Sequence, residues 1–234
     1  MSLTCVSGFW LTKNKHNNNY LDWFKNTLSI NCPYVFFGNK ESLDIVKQFR
    51  KDLETFYIEC EIHEFVTYKY KDKLKTDEIH CPSIELNLIW HEKVFLLKKA
   101  TLINPFNSKW FQWIDAGIFI YRNVKPPERK FPNIDILNSL PENKFIFSSS
   151  IDTIDINLVS KFNYYHYIAG TSFILHINFI PIFSKIYDSY LEKNLDKNLL
   201  LTEQVIYTLI FKDIPSLFFQ ISNGYGSVTI FLYG

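Results

Sequence analysis

The chain of 234 residues lacks an excess of either charge sign and lacks a long uninterrupted apolar run. Its 25 basic and 24 acidic residues leave a net charge of +1, whereas nucleic-acid binding needs a basic patch, so a nucleic-acid partner is not expected. The most apolar late stretch, residues 173–183, includes His176, Asn178 and Pro181 and is shorter than the ~20 residues of a membrane-spanning helix. We therefore expect no transmembrane segment, which still allows peripheral contact with a membrane surface.

Cysteine is also scarce, and its spacing excludes two kinds of site. The four cysteines, Cys5, Cys32, Cys60 and Cys81, form neither the paired CxxC pattern of a zinc site nor a disulfide framework. Residues 1–11 carry no basic leader of the kind that precedes a secretory signal. These features predict reduced thiols and a cytoplasmic location. The sequence also lacks a Gly-x-Ser-x-Gly element, so a hydrolase is the least favoured enzyme class.

Apolar residues are plentiful, at 47% of the chain with 18% aromatic, and can form one sizeable core. Hydrophobic patterning predicts strands over 3–10, 34–37, 110–120, 144–148, 167–175 and 228–233, and helices over 20–28, 42–56, 83–103, 179–194 and 202–211. Residues 56–65 are expected to be extended, and 123–143 to form a loop with a short helix near 134–140. Alternating strands and helices predict an α/β fold with a mostly parallel central sheet flanked by helices.

The helix expected over 83–103 is apolar on two sides, which is typical of a helix buried against a sheet. Ser83 is a suitable N-cap and Pro105 ends the helix.

Asp115 is the main candidate site residue. It follows a buried strand and precedes Ala116 and Gly117, which places it at a strand's carboxyl end, where open α/β sheets bind ligands. A carboxylate there suits Mg²⁺ or Mn²⁺, ions that bridge the phosphates of a nucleotide. The alternative is an aspartate that initiates a turn by capping the following backbone.

Three pieces of the surrounding sequence occur in order: a lysine-bearing helix over 86–97, the loop Asn104-Pro105-Phe106-Asn107, and the strand end Trp113-Ile114-Asp115-Ala116-Gly117-Ile118. Together they resemble the HtrL/YibB-like family of bacterial proteins, which recur among lipopolysaccharide and surface-glycan genes. Residues 6–10, 20–24 and 33–37 are similar to the same family more loosely. More distantly, the layout is similar to nucleotide-diphosphosugar transferases of the GT-A type, whose Asp-x-Asp motif holds a metal ion. Here Ala116 and Gly117 follow Asp115 instead of a second aspartate.

The resemblance implies a single GT-A-like, Rossmann-related domain over 1–234, with a nucleotide-sugar-binding half over 1–122 and an acceptor-side half over 123–234. It implies a metal-dependent, hexosyltransferase-like glycosyltransferase that uses Mn²⁺ or Mg²⁺. The donor would be a nucleotide-diphosphate sugar, and the acceptor a hydroxyl of a glycan or lipid-linked intermediate in surface polysaccharide biosynthesis. A GT-A-shaped binding or scaffold protein without turnover is the alternative, because the second aspartate is missing.

The residues that match the pattern are assigned roles on the same basis. Donor contacts are expected from Ser7, Gly8, Phe9, Phe37, Gly38, Lys93 and Gly170, a metal ligand and catalytic residue from Asp115, and a general base from Glu203. Structural alternatives remain: turn glycines, a lysine extending to the helix edge, close packing at Gly170, and a glutamate favoured by the helix dipole. Asp152 and Asp155 are the alternative source of the base or of a metal ligand.

Overall fold

A seven-stranded sheet forms the centre of the protein, in a computed structural model that describes residues 2–14, 16, 19–150, 166–196 and 200–234. The strands are β1 (Leu3–Gly8), β2 (Tyr34–Gly38), β3 (Thr55–Glu59), β4 (Trp110–Ile114), β5 (Phe145–Ser149), β6 (Ile168–His176) and β7 (Phe218–Asn223). The helices are α1 (Tyr20–Thr27), α2 (Lys40–Lys47), α3 (Ile84–Ile103), α4 (Ile134–Asn138), α5 (Ile180–Asn194), α6 (Glu203–Asp213) and α7 (Ser227–Tyr233). In the part of the chain so described, no helix has the length and apolarity to cross a bilayer.

The sheet has the order β3-β2-β1-β4-β6-β5-β7. Strands β3, β2, β1 and β4 are mutually parallel, β6 is antiparallel to both of its neighbours, and β5 is parallel to β7. All strands except β6 therefore point in one direction. The predicted single α/β domain with a mostly parallel sheet is confirmed.

The connectivity creates a crevice between β1 and β4. After β1 the chain builds β2 and β3 on one side, and β4 then pairs with the other side of β1. Ligands of open α/β sheets bind beyond the carboxyl ends of the strands at such a switch in strand order. The register pairs Val6 with Trp113, so two residues further on Gly8 and Asp115 lie level with each other at this edge.

Helices cover both faces of the sheet. On one face α3, α5 and α6 contribute to a core with Phe145, Phe173 and Tyr207 among its buried rings, and on the other face α1, α2, α4 and α7 surround Phe24 and Phe36. The buried helix α3 begins as predicted, since the Ser83 hydroxyl accepts a hydrogen bond from the Leu86 amide at 3.2 Å.

Several sequence-based assignments are wrong, and strand β7 was not predicted. Residues 228–233 form the end of α7 instead of a strand, because Val228 and Leu232 are buried four residues apart, which is a helical spacing. The predicted helix over 42–56 ends at Lys47, and the buried Arg50 then donates to the carbonyls of Leu28 and Cys32. The strand expected to reach residue 120 ends at Ile114 and is followed by a 3₁₀ helix over 119–121.

Candidate active site

A cavity of about 580 Å³ opens at the carboxyl ends of β1 and β4. Its wall takes Gly8, Phe9 and Trp10 from the end of β1, Leu86, Ile89, Trp90 and Lys93 from α3, Asp115, Ala116 and Gly117 from the end of β4, and Thr202, Glu203 and Gln204 from the start of α6. Further aromatic and basic side chains in the wall are His16, Tyr20, His80, Trp113, Phe119, Arg122, His166 and Tyr225. Tryptophan and tyrosine rings provide flat apolar surfaces in such a cavity, with polar groups at their edges.

Lys93 lies at the base of this cavity, with only 3% of its side chain exposed. Its ammonium group is 2.9 Å from Asp115 Oδ1 and 2.8 Å from Glu203 Oε1, and it donates to the Gly170 carbonyl at 3.0 Å. An ammonium has three hydrogens to donate. Every one of them therefore has a protein acceptor, and Lys93 joins β4, β6 and α6 at one point.

The two carboxylates keep this buried lysine charged. Burial alone would lower the pKa of Lys93, but the negative charges of Asp115 and Glu203 outweigh it and raise the pKa overall. The Glu203 side chain is only 4% exposed, and its burial raises its pKa although Lys93 opposes the shift. The site therefore contains a fixed positive charge between two carboxylates that differ in their exposure to the cavity.

Asp115 is the more exposed of the two carboxylates, at 30% of its side chain. Its Oδ1 also accepts a hydrogen bond from Trp113 Nε1 at 2.7 Å, and its backbone amide donates to the Thr171 carbonyl at 2.9 Å. Among the described residues, none donates to Oδ2. The carboxylate is thus held through one oxygen while the other is available at the cavity wall.

This arrangement fits a divalent cation that is shared with a substrate. Mg²⁺ is usually bound through one or two protein carboxylates, with substrate phosphates and water completing its coordination. Asp115 can supply one such oxygen. Within the described ranges, no three side chains of His, Cys, Asp or Glu are grouped to hold a metal by themselves. Asp152 and Asp155 lie outside the described residues.

The predicted site residues divide into two groups. Gly8, Phe9, Lys93, Asp115 and Glu203 line the cavity. The other four, which are absent from its lining, are Ser7, Phe37, Gly38 and Gly170.

Ser7 and Phe37 are fully buried, and Phe37 belongs to the core. Gly170 contacts the site from behind, because its carbonyl accepts from Lys93 and a Cβ at its position would lie 2.5 Å from Glu203 Oε1. At Gly8 a Cβ would lie 2.5 Å from the Trp10 ring, so this glycine makes room for one of the chain's own side chains.

Sequence reasoning missed most of the aromatic wall and Arg122. The Arg122 guanidinium lies 3.7 Å from the centre of the Trp23 ring, and its Nε donates to the Gly117 carbonyl at 3.0 Å. Across the cavity, His166 Nε2 and the Tyr225 hydroxyl are 2.6 Å apart. Arg122, His166 and Tyr225 lie outside the helices and strands, in segments with no periodic pattern. For Arg122, its position only seven residues after Asp115 was the one feature of the sequence that could have pointed to the site.

Comparisons with known proteins give a family and a fold. A family model described as "Bacterial protein of unknown function (HtrL_YibB)" matches residues 58–228. The apo structure of mouse xyloside xylosyltransferase 1 matches with a TM-score of 0.58 and 13% identity, over 94% of this chain and 85% of that chain. The galactosyltransferase LgtC, in complex with donor and acceptor sugar analogues, matches with a TM-score of 0.53 and 11% identity, over 88% and 70%. Among curated proteins, nothing matches.

Proposed function

This chain belongs to the HtrL_YibB family and has the GT-A glycosyltransferase fold, and we propose that it transfers a sugar from a nucleotide-diphosphate donor to an acceptor hydroxyl. The observation that carries the proposal is the position of Asp115. Its carboxylate lies at the switch in strand order, lines a cavity of about 580 Å³, and is oriented by a buried lysine. This cavity has the size of a small-molecule site.

We place the donor between the end of β1 and Asp115. Gly8, Phe9 and Trp10 would contact the nucleoside, and Asp115 would face the diphosphate. Lys93 would act on the diphosphate through its charge and through Asp115, because its three hydrogens already have acceptors. Its positive charge offsets one of the two neighbouring carboxylate charges, which reduces their repulsion of a diphosphate. Residues 1–122 would then form the donor half and 123–234 the acceptor half.

We propose that Mn²⁺ or Mg²⁺ assists, with Asp115 as a protein ligand. The ion, when bound, supplies a Lewis acid that neutralises the diphosphate charge. The protein orients this ligand, because Trp113 and Lys93 hold Oδ1 of Asp115 and so direct the carboxylate.

We propose Glu203 as the general base for the acceptor hydroxyl. It lines the cavity, and its raised pKa moves it toward the range in which a carboxylate accepts a proton efficiently near neutral pH. Asp152 and Asp155 remain the alternative bases.

For the acceptor we propose a glycan or a lipid-linked intermediate of surface polysaccharide biosynthesis. Leu86, Ile89 and Trp90 precede Lys93 by seven, four and three residues on α3, so they continue the same helix face away from the reaction centre. This apolar stripe suits a sugar ring face or an apolar carrier. We also propose a cytoplasmic location, which the four buried, reduced cysteines support.

The experiment measures release of nucleoside diphosphate from a panel of nucleotide sugars with Mn²⁺, for wild type, Asp115→Asn and the exposed control Asp72→Asn. We expect turnover of one donor class by wild type and by the control, and a loss of about 10²–10³-fold in Asp115→Asn, because the carboxylate that would hold the metal ion at the diphosphate is removed. Full activity of Asp115→Asn would contradict the proposal. Calorimetry that detects tight donor binding while wild type releases no diphosphate would favour the binding or scaffold protein.

A further inference from the structure

Residues 119–130, here named the cationic rim, run from the wall of the cavity onto the protein surface. Phe119 and Arg122 line the cavity. Phe119 is 65% exposed and Val124 is 63% exposed, so two large apolar side chains face solvent within six residues. Isolated exposed apolar residues are ordinary, whereas these two lie close together in sequence beside the cavity, where they can meet another apolar surface.

The same segment concentrates positive charge. Arg122, Lys125, Arg129 and Lys130 oppose Glu128 alone, which gives the rim a net charge of +3 when the chain as a whole has +1. The rest of the chain therefore carries −2. On the adjacent helix α1, Lys25 and Asp22 pair at 3.2 Å and so add no net charge. The rim is accordingly a local cationic surface on a nearly neutral protein.

Contacts at both ends hold the rim in place. At its start, the Arg122 guanidinium stacks on Trp23 and donates to the Gly117 carbonyl. Just past its end, Phe131 is buried and its amide donates to the Asn31 carbonyl at 3.1 Å. The segment is thus anchored at both ends, which lowers the entropic cost of binding a surface relative to a free segment.

We propose that the cationic rim binds the surface of a bilayer that contains anionic lipids, and that this places the mouth of the cavity at the level of the lipid headgroups. Lys and Arg side chains are attracted to an anionic leaflet, while exposed apolar side chains enter the boundary between headgroups and acyl chains. A free phosphate would satisfy the charges but would leave Phe119 and Val124 in water. The inference rests on the proposed function, because a transferase acting on a lipid-linked acceptor needs its cavity beside the membrane.

The test is cosedimentation of the full chain with vesicles of phosphatidylcholine, alone or with one part in three of phosphatidylglycerol, in the absence of donor and acceptor. We expect partition onto the anionic vesicles only, and a steep decrease when salt is raised from about 0.05 M to about 0.5 M, since the Debye length shortens.

The rim variant combines Val124→Ser, Lys125→Glu and Lys130→Glu. Each lysine near an anionic surface contributes about five-fold to partition, so loss of both predicts a decrease of at least about 25-fold. The matched control combines Leu102→Ser with Lys51→Glu and Lys212→Glu, which are exposed residues outside the rim and give the same change in charge. The control should retain most of the wild-type partition onto anionic vesicles.

Absence of binding to anionic vesicles, or equal losses in the rim variant and the control, would overturn the inference. Failure here and failure of the proposed function are separable. A protein that sediments with vesicles but turns over no nucleotide sugar would refute the function and leave the rim's role standing. A protein that transfers sugar but does not sediment with vesicles would refute the role of the rim and leave the proposed function standing.

Discussion

Lys93 uses its whole hydrogen-bonding capacity inside the protein. Its three partners come from three elements, and two of them are carboxylates. Removing one partner from a buried charge cluster leaves the others uncompensated, which is far more costly than never having the cluster. At the scale of residues, the site is therefore built around a lysine that positions both candidate functional carboxylates.

The first prediction concerns Lys93→Met. This variant leaves the buried Glu203 carboxylate without its cation, and we expect a loss of about 3–5 kcal/mol in the free energy of unfolding, measured in urea at neutral pH. The double variant Lys93→Met/Glu203→Gln should recover part of that loss, because the unpaired charge is gone. The control Lys98→Met changes a half-buried lysine on the same helix and should cost much less. Wild-type stability in Lys93→Met would show that the ion pairs are not formed.

The second prediction concerns Gly170→Ala. The added Cβ would lie 2.5 Å from Glu203 Oε1 and 2.8 Å from Gln204 Cγ, so the start of α6 must shift and weaken the contact between Glu203 and Lys93. We expect a loss of about 1–3 kcal/mol in stability, typical of overpacking, together with slower sugar transfer. Calorimetric melting and a turnover assay of the same preparation measure both. A variant unchanged in both respects would remove Gly170 from the supporting structure of the site.

Much of the chemistry at this scale could be predicted from the sequence, but the contacts could not. Asp115 was identifiable because its position after an apolar strand is a local property of the chain. That Lys93 meets Glu203 depends on two helices 110 residues apart in sequence, and no local pattern encodes such a meeting. In the structure the three hydrogens of Lys93 are taken up by Asp115, Glu203 and the Gly170 carbonyl, whereas the resemblance implied a contact between Lys93 and the donor.

At the scale of elements, α3 carries three adjacent buried titratable residues, His91, Glu92 and Lys93. His91 Nε2 lies 3.2 Å from the Leu201 carbonyl, which can only accept, so Nε2 carries the hydrogen and Nδ1 accepts from the Tyr187 hydroxyl at 2.6 Å. Burial lowers the pKa of His91 to about 4. The imidazole therefore stays neutral at physiological pH and joins α3 to α5 and to Leu201, two residues before α6 begins.

The pKa of Glu92 shifts in the opposite direction from that of His91. Burial raises its pKa to about 7, although the amides of Val66 and Thr67 and the Thr67 hydroxyl donate to its carboxylate at 2.9, 3.0 and 2.6 Å. Between pH 4.5 and 7 the native state holds a proton on Glu92 that the unfolded chain has released. Its contribution to stability is thus greatest at low pH and is lost as the pH rises through 7.

The third prediction concerns the pH dependence of stability that Glu92 causes. The variant Glu92→Gln lacks the titration, so its free energy of unfolding, relative to wild type, should rise by roughly 3 kcal/mol between pH 4.5 and pH 7. Urea unfolding at a series of pH values measures the difference. For comparison, Glu85→Gln removes an exposed glutamate from the same helix and should give a nearly constant difference. A constant difference for Glu92→Gln as well would mean that this carboxyl titrates normally.

Elements with strong periodic patterns were predicted well, whereas α7 was predicted as a strand and β7 was not predicted. Helix α3 has a capping serine and twenty residues of apolar pattern, so its bounds followed from the sequence. Helix α7 has seven residues rich in β-branched and aromatic types, which favour strands, and its helical form depends on packing of Val228 and Leu232 against the sheet. In α7, tertiary packing therefore outweighs the local preference for a strand.

At the scale of the whole molecule, the site exists because of the strand order. Neither half of the sheet alone forms the cavity, since its wall combines the end of β1 with the ends of β4 and the start of α6. The sequence predicted a mostly parallel sheet, but the order β3-β2-β1-β4-β6-β5-β7 and the reversed β6 are set by long-range pairing. The proposed sugar transfer therefore requires a donor that binds across the ends of β1 and β4.

A crystal structure of the protein soaked with nucleotide sugars and Mn²⁺ tests that claim most directly. We expect a donor whose diphosphate, together with its Mn²⁺, lies at Asp115 Oδ2 and whose nucleoside contacts Gly8, Phe9 and Trp10, with Lys93 still bound to Asp115, Glu203 and the Gly170 carbonyl. A donor bound elsewhere on the protein, or an Asp115 that touches neither metal nor phosphate in the complex, would contradict it.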